Sequence, residues 1–278
     1  MQNIKRGKLS LFAYNSSAVA IKSVMQITDH IMVGIIPLTK ENNMKMANLL
    51  KETAFLNYNN PIIQRLIADR NWQNMDEKGK ILAIYNYVRD EVAFGYNVSD
   101  NINAVCVLQD GYGQCNTKGT LFMALLRAVG VPCRIHGFYI DKIMQKGAMK
   151  GVYYKKAPKD ILHSWVEIFY NEKWLNIEGF ILDMKYLNEL QSMFNDCEGA
   201  FCGYGVAIKD FKNPPIEWNE NDTYIQVDGI TKDLGIYDSP DELFSAYKQK
   251  IGWLKEFLFK YIVRHLMNKN IKKIRGTK

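Results

Sequence analysis

The sequence predicts an α+β fold in which helices come first, antiparallel strands follow, and a helical segment ends the chain. Apolar residues recur at helical spacing through residues 61–69, 76–92 and 115–129. Alternation with a period of two replaces that spacing in residues 134–140, 161–170 and 173–182, which predicts strands. Helical spacing returns after residue 239.

The predicted helices have recognisable ends. Pro61 is a favourable first helical residue. The helix that follows Cys115 carries its apolar residues on one face and ends at GVP, residues 130–132. In the C-terminal segment, Ser239 and Glu242 form a capping-box pattern, and the helix continues to about residue 268, with Gly252 as a candidate break.

The strand region is bounded by turns and loops. Asn171-Glu172 predicts a tight turn between the second and third strands, and residues 141–160 predict an exposed loop or small hairpin. Three further extended segments are predicted at residues 18–36, 53–58 and 223–227.

Composition indicates a globular chain. Its 278 residues are 47% hydrophobic, without repeats or a Pro- or Gly-rich linker, so we expect a single domain over residues 1–278. The apolar stretch 18–38 is too short and too charged to span a bilayer, and the N-terminus lacks a signal-peptide pattern. We therefore expect a cytoplasmic protein.

The five cysteines are odd in number and sparse, which favours free thiols over a disulfide framework. No CxxC or HxxxH pair occurs, so the sequence predicts neither a metal site nor a cofactor.

The net charge of +7 belongs to the C-terminus, where residues 251–278 carry eight Lys and Arg against Glu256. Cations alternate there with apolar residues, as in an amphipathic helix that packs on its own domain. The alternative is a contact with nucleic acid or an anionic membrane.

Cys115 is the candidate nucleophile. It follows two glycines in GYGQC and opens a helix, where unpaired N–H groups and the helix dipole stabilise a thiolate and an oxyanion. A nucleophilic thiol needs a base, and His163, in LHSWVEI, is the candidate because it lies on a predicted strand with Trp165 and Glu167 on the same face. His136 is a weaker candidate, and we interpret His30 and His265 as structural.

Glu178 is the candidate that orients this base. A hairpin with an even loop pairs residues whose numbers sum to an odd value, so His163 and Glu178 share a face. With a two-residue loop His163 lies opposite Phe180, and Glu178 is its diagonal neighbour, with Cα atoms about 7–8 Å apart. A glutamate stem can cover that distance.

The phrases GYGQCNTKGTLFMALLRAVGVPCRIHG and HSWVEIFYNEKWLNIE resemble the core of the transglutaminase-like superfamily of papain-like thiol enzymes. The resemblance covers about residues 51–183, with accessory segments 1–50 and 184–278. It implies a nucleophile helix packed on an antiparallel sheet, with Cys115 as nucleophile, His163 as general base and then acid, and Glu178 as third member. That position is usually Asp in the family, and Asp183 is the nearest alternative. By comparison with papain-like peptidases, Gln109 is a candidate oxyanion donor, with Gln114 as a competitor that we interpret as a helix cap.

The resemblance implies acyl transfer from a protein or peptide amide, such as a Gln side chain, through a thioester. With water as acceptor the enzyme is a cysteine peptidase or amidase, which we favour slightly; with an amine it is a transglutaminase. The alternative is a catalytically impaired scaffold that binds a partner, with a polyanion at the basic C-terminus. We interpret Trp165 and Trp174 as packing around the imidazole, and Glu167 as a rim or salt-bridge residue.

Overall fold

The structure, a computed structural model, describes residues 40–247 and 252–276. Of the described residues, 46–247 and 252–276 belong to one compact unit. The strands predicted at residues 18–36 lie outside the described residues.

The described chain begins with three α-helices, continues with interspersed strands and helices, and ends with three α-helices. The helices are α1 (Lys40–Asn48), α2 (Pro61–Asp69), α3 (Glu77–Asn86), α4 (Ala104–Asp110), α5 (Cys115–Ala128), α6 (Gly151–Lys156), α7 (Met184–Met193), α8 (Pro240–Ala246), α9 (Trp253–Leu258) and α10 (Arg264–Ile274). The π-helical turns Tyr87–Glu91 and Phe259–Val263 extend α3 and α9. The strands are β1 (Ala93–Phe94), β2 (Tyr112–Gly113), β3 (Cys133–Asp141), β4 (Asp160–Tyr170), β5 (Lys173–Ile177), β6 (Phe201–Gly203), β7 (Val206–Ile208) and β8 (Ile230–Tyr237).

The main sheet is antiparallel, with strand order β5-β4-β3-β8. In the β4–β5 hairpin Tyr170 pairs with Lys173, so the loop is the two residues Asn171 and Glu172. Both have positive φ, 48° and 61°, as a two-residue hairpin turn with the favoured twist requires. The predicted α+β class, the antiparallel sheet and this turn are confirmed.

The structure corrects two predicted strands and one predicted extended segment. The strand predicted over residues 173–182 ends at Ile177, and the segment 53–58 is irregular, with Thr53 Oγ1 and the Phe55 N–H bonded to Asp241. The segment 223–227 forms a bridge between Thr223 and Ile177 and then a 3₁₀ turn instead of a strand. The fourth strand of the sheet is β8, which the sequence did not predict.

The helix α5 runs through the core and packs against α3, α4 and β4. Its residues 121–126 are all fully buried, so the helix is enclosed on every side rather than on the one apolar face that its sequence predicts. Its first turn reaches β4. This packing brings Cys115 toward the strand that carries His163.

The C-terminal helix α10 packs on its own unit, as its amphipathic pattern predicts. Met267 and Ile271 are buried, and the Asn268 amide bonds both the N–H and the C=O of Tyr96. The predicted excursion at residues 141–160 contains a 3₁₀ turn, Lys142–Gln145, and α6.

In the part of the chain that the structure describes, no helix combines the length and the apolar character that a bilayer crossing requires.

Candidate active site

Cys115 is the first residue of α5 and is partly exposed. Gly111 ends α4 with a φ of 68°, which favours glycine. A Cβ at Gly113 would lie 2.7 Å from Thr117 Oγ1, so the backbone reaches the start of α5 only because this position has no side chain. The Thr117 hydroxyl then accepts the Gln114 N–H at 3.0 Å, which caps the helix immediately before the thiol.

Gln114 and Gln109 differ in their surroundings. The Gln114 side chain accepts the Asn97 N–H at 2.9 Å and donates to Asp100 at 2.9 Å, so its amide is engaged in holding the loop before α5. Gln109 is exposed on α4, and within the described residues no hydrogen bond joins it to Cys115, His163 or Glu178. The structure therefore gives no contact that supports Gln109 as an oxyanion donor.

His163 is fully buried on β4, opposite Phe138 on β3. Its Nε2 lies 2.8 Å from Glu178 Oε1, and its Nδ1 has no hydrogen-bond partner among the described residues. Burial lowers the pKa of His163, but the charge of nearby Cys115 and the Glu178 carboxylate together raise that pKa well above its ordinary value. The surroundings of this imidazole thus favour its protonated form.

Glu178 follows the last residue of β5 and is fully buried. Its Oε1 faces His163, and its Oε2 accepts the N–H groups of Ile225 and Gln226 at 2.8 and 2.9 Å. These bonds compensate the cost of burying a carboxylate and fix its direction. They also explain why residues 223–227 are not a strand, since two of their N–H groups serve a side chain.

Asn116 is a residue at the site that sequence reasoning missed. It is buried, its Nδ2 donates to Leu162 O at 3.1 Å, and its Oδ1 accepts from Ser164 Oγ at 2.9 Å. Asn116 therefore holds β4 on both sides of His163, directly beside Cys115. A polar residue next to Cys115 was visible in the sequence, but its partners depend on how α5 packs against β4.

His136 belongs to a different cluster. Its Nδ1 and Nε2 each lie 2.9 Å from a carboxylate, of Glu167 and Asp233 respectively. Burial lowers the pKa of His136, and these two carboxylates raise it above its ordinary value. Glu167 also pairs with Arg134 at 2.6 Å, so the salt-bridge interpretation of Glu167 is confirmed.

The two tryptophans of the motif have different neighbours. The Trp165 ring packs against Phe138, with centroids 4.1 Å apart, and Phe138 in turn contacts the imidazole of His163. The guanidinium of Arg134 lies over the ring of Trp174, with the Arg134 Cζ 3.8 Å from the ring centroid. Packing near the imidazole therefore describes Trp165 and not Trp174.

Asp183, the alternative third member, lies elsewhere. Its carboxylate caps α7 through the Tyr186 N–H, accepts the Phe94 N–H and pairs with Arg275 at 2.6 Å. Of the remaining histidines, His265 is an exposed residue of α10, and His30 lies outside the described residues. Within residues 40–247 and 252–276, no three His, Cys, Asp or Glu side chains are grouped as metal ligands would be.

Residues 66–179 match the family model of the transglutaminase-like superfamily. Among solved structures, a "putative cysteine protease" from Cytophaga hutchinsonii aligns over 76% of this chain and 50% of its own, with 13% identity and a TM-score of 0.42. The structure of a TGase aligns over 56% of this chain and 37% of its own, with 15% identity and a TM-score of 0.27. The chain thus spans about half the length of the first structure. No curated protein matches it. Residues 66–179, the stretch that matches the model of the transglutaminase-like superfamily, contain Cys115, His163 and Glu178.

Proposed function

We propose that the protein transfers the acyl group of a protein or peptide amide to water through a thioester on Cys115. The observation that carries this proposal is the arrangement of His163, which is buried between a thiol at a helix N-terminus and a carboxylate fixed by two backbone N–H groups. This is the arrangement that nucleophilic catalysis by a thiol requires.

In the proposed reaction the Cys115 sulfur attacks the amide carbonyl carbon as a thiolate, and His163 carries the proton as imidazolium. The tetrahedral intermediate collapses when His163 gives that proton to the leaving amine, which leaves a thioester and a neutral imidazole. His163 then removes a proton from water, the resulting hydroxide attacks the thioester, and the returned proton accompanies release of the acid and the thiol. Glu178 stays ionised and holds the ring.

The oxyanion of the intermediate needs hydrogen-bond donors. An α-helix leaves its first N–H groups without intrahelical acceptors, and in α5 these groups include those of Cys115 and Asn116. We propose that this first turn supplies the donors. A role for Gln109 remains a prediction, which Gln109→Ala would test through kcat.

The partial exposure of Cys115 supports water as the acceptor, because amine transfer depends on excluding water from the thioester. The hydrogen bond between Glu178 and His163 supports an active site over an impaired scaffold, because the glutamate side chain, longer than the usual aspartate, reaches the imidazole at 2.8 Å.

The acceptor and the thioester can be tested together. Intact-mass measurement of the protein with a peptide library and an amine donor should show an acyl adduct on Cys115, released mainly as acid. Release mainly as the amine conjugate would assign amine transfer. Absence of any adduct, with wild-type protein and Cys115→Ala giving the same spectrum, would contradict the proposed reaction.

The nucleophile can be tested by iodoacetamide labelling at pH 5.5. An imidazolium-paired thiolate reacts there, whereas an ordinary thiol is protonated. Cys115 should therefore react much faster than Cys106, an exposed cysteine nearby in the chain, and His163→Ala should remove the difference. Equal rates at both cysteines would count against Cys115 as the nucleophile.

A further inference from the structure

A cleft of about 1370 Å³ runs between α10 and residues 148–153. Its floor includes Phe94, Met267 and Ile271, which are buried, and its rim includes Val152 and Leu266, whose exposed fractions are 52% and 48%. The volume is above the roughly 300–1,000 Å³ typical of small-molecule sites. The cleft is therefore large enough for a segment of polypeptide.

The cleft ends near the nucleophile. Gly95, which precedes Tyr96 in the chain, lines the cleft. Tyr112, three residues before Cys115, also lines it. Tyr96 lies close enough to Cys115 that a charge on Cys115 acts on the Tyr96 hydroxyl. Burial and that charge both raise the pKa of Tyr96. A chain lying in the cleft could thus continue to the thiol.

The charge of the cleft has one sign. Among the described residues that line it, none is Asp or Glu, while Lys150, Lys269 and Lys273 contribute exposed cations. These three lysines form no ion pair within residues 40–247 and 252–276. Arg275 also lines the cleft, but its charge is paired with Asp183. A positive cleft with an apolar floor attracts an anionic segment that also carries apolar side chains.

The walls of the cleft are fixed before anything binds. Asn268 bonds the N–H and the C=O of Tyr96 at 2.7 and 3.0 Å, and Asn270 donates to the C=O of Gly147 at 2.7 Å. These bonds anchor α10 both to the segment beside Cys115 and to the opposite wall. A preformed groove binds a flexible segment with a smaller ordering cost.

We infer that this cleft binds an acidic segment of the protein substrate, which the groove then leads toward Cys115. The inference rests on the proposed function, because the amide chemistry of Cys115 selects a polypeptide as the occupant. A concave groove also suits an extended chain better than the surface of a membrane.

Binding can be measured without catalysis by using the full-length Cys115→Ala protein. The probes are a fluorescent peptide of alternating Glu and Leu residues and its counterpart with Gln at each Glu position, compared by fluorescence anisotropy at two salt concentrations. The acidic peptide should bind about tenfold tighter or more, and the difference should shrink as salt increases.

Charge-reversing substitutions test whether the acidic peptide binds in this cleft. The combined variant Lys150→Glu, Lys269→Glu, Lys273→Glu should lose this preference for the acidic peptide. The matched control Lys80→Glu, Lys173→Glu, Lys232→Glu changes the net charge equally and should keep it. Equal affinity for the two peptides, or equal loss in both variants, would overturn the inference.

Two further probes test other polyanions. A single-stranded oligonucleotide or an anionic phospholipid vesicle that binds more tightly than the peptide through the same three lysines would also overturn the assignment. Because Cys115→Ala cannot form a thioester, this experiment and the trapping experiment fail separately. Peptide binding without an acyl adduct would leave the cleft as a binding site and refute the proposed reaction.

Discussion

At the residue scale, Glu178 determines how His163 is oriented. Burial lowers the pKa of His163, whereas Cys115 and the Glu178 carboxylate raise it. Glu178→Gln keeps the size of the side chain but removes the carboxylate charge. We expect kcat/KM to fall about 10²–10⁴-fold, by comparison with loss of a triad carboxylate. Since the proposed reaction needs the His163 imidazolium, which is lost above its pKa, the basic limb of the pH–rate profile should move to lower pH.

The control for this prediction is Asp183→Asn, which removes a buried carboxylate that contacts Arg275 rather than His163. Its turnover per folded molecule should stay near wild type with an unchanged profile. A loss of turnover in Asp183→Asn but not in Glu178→Gln would assign the third member to Asp183.

Asn116 provides a second prediction at this scale. Asn116→Ala leaves the Leu162 carbonyl and the Ser164 hydroxyl without their partner, which costs about 1–3 kcal/mol of stability. Because Asn116 fixes β4 beside Cys115, we expect kcat to fall more than KM changes, and iodoacetamide labelling of Cys115 at pH 5.5 to slow.

Thr120→Val is a matched control for Asn116, because it removes a buried hydrogen bond to the Asn116 carbonyl one turn further along α5. It should lower stability without slowing the labelling of Cys115. Equal labelling rates in the two variants would show that Asn116 has only a structural role.

At the scale of elements, periodicity predicted those parts that depend on local sequence. It identified α2, α3 and α5, and the turn at Asn171-Glu172 set the register of β4 and β5. It missed β8, an edge strand with register shifts against β3 and a positive φ at Gly235. It wrongly made residues 223–227 a strand, because no local pattern shows that their N–H groups bind Glu178.

Asp183 joins β1, α7 and α10, so its substitution tests how these elements are held together. Burial raises the pKa of Asp183, but Arg275 and two backbone N–H groups lower it below its ordinary value. A carboxyl group whose pKa is lowered by folding stabilises the fold above its pKa in the unfolded chain, about 3.9. This contribution is lost as pH falls through its pKa in the folded protein.

We therefore expect Asp183→Asn to lower the free energy of unfolding at pH 7 by about 3 kcal/mol or more. The difference from wild type, measured by urea denaturation, should shrink as the pH falls below about 4. Asp196→Asn, at an exposed aspartate just after α7, should show no such loss. A pH-independent difference would mean that the Asp183 charge is not what stabilises the fold.

His136 connects β3 to β4 through Glu167 and to β8 through Asp233. Because the pKa of His136 is raised in the folded protein, its charge stabilises the fold fully below the pKa of about 6.5 that the residue has in the unfolded chain. This stabilisation is lost as pH rises through the pKa of the folded protein. His136→Gln should therefore destabilise the protein more at pH 5.5 than at pH 9, as measured by urea denaturation. An equal effect at both pH values would exclude the charge as the cause.

At the scale of the whole molecule, the sequence predicted which residues form the candidate site but not how the molecule holds them. That His163 and Glu178 lie together was predictable because strand alternation and hairpin parity are readable locally. The docking of α10 on Tyr96 and the complete burial of Lys118 were not, because they depend on distant parts of the chain.

Lys118 couples three parts of the molecule, and its burial should make global stability depend on pH. Its Nζ donates to Arg89 O at 3.2 Å and to Ile181 O at 3.0 Å, and burial lowers its pKa to about 7. The unfolded chain, with a lysine pKa of about 10.4, binds a proton between these values that the folded protein does not. The free energy of unfolding should therefore rise with pH from about 7 to 10, by up to about 1.4 kcal/mol per pH unit.

Lys118→Met has a similar volume and no titratable group, so it should lack this contribution even though it leaves two carbonyls without a donor. The measurement is the difference in free energy of unfolding between wild type and variant, from urea denaturation at pH values from 6.5 to 9.5. That difference should change steadily with pH, whereas Lys173→Met, at an exposed lysine, should give a constant one. A constant difference for Lys118→Met would mean that the buried amine keeps its proton and that another group compensates its charge.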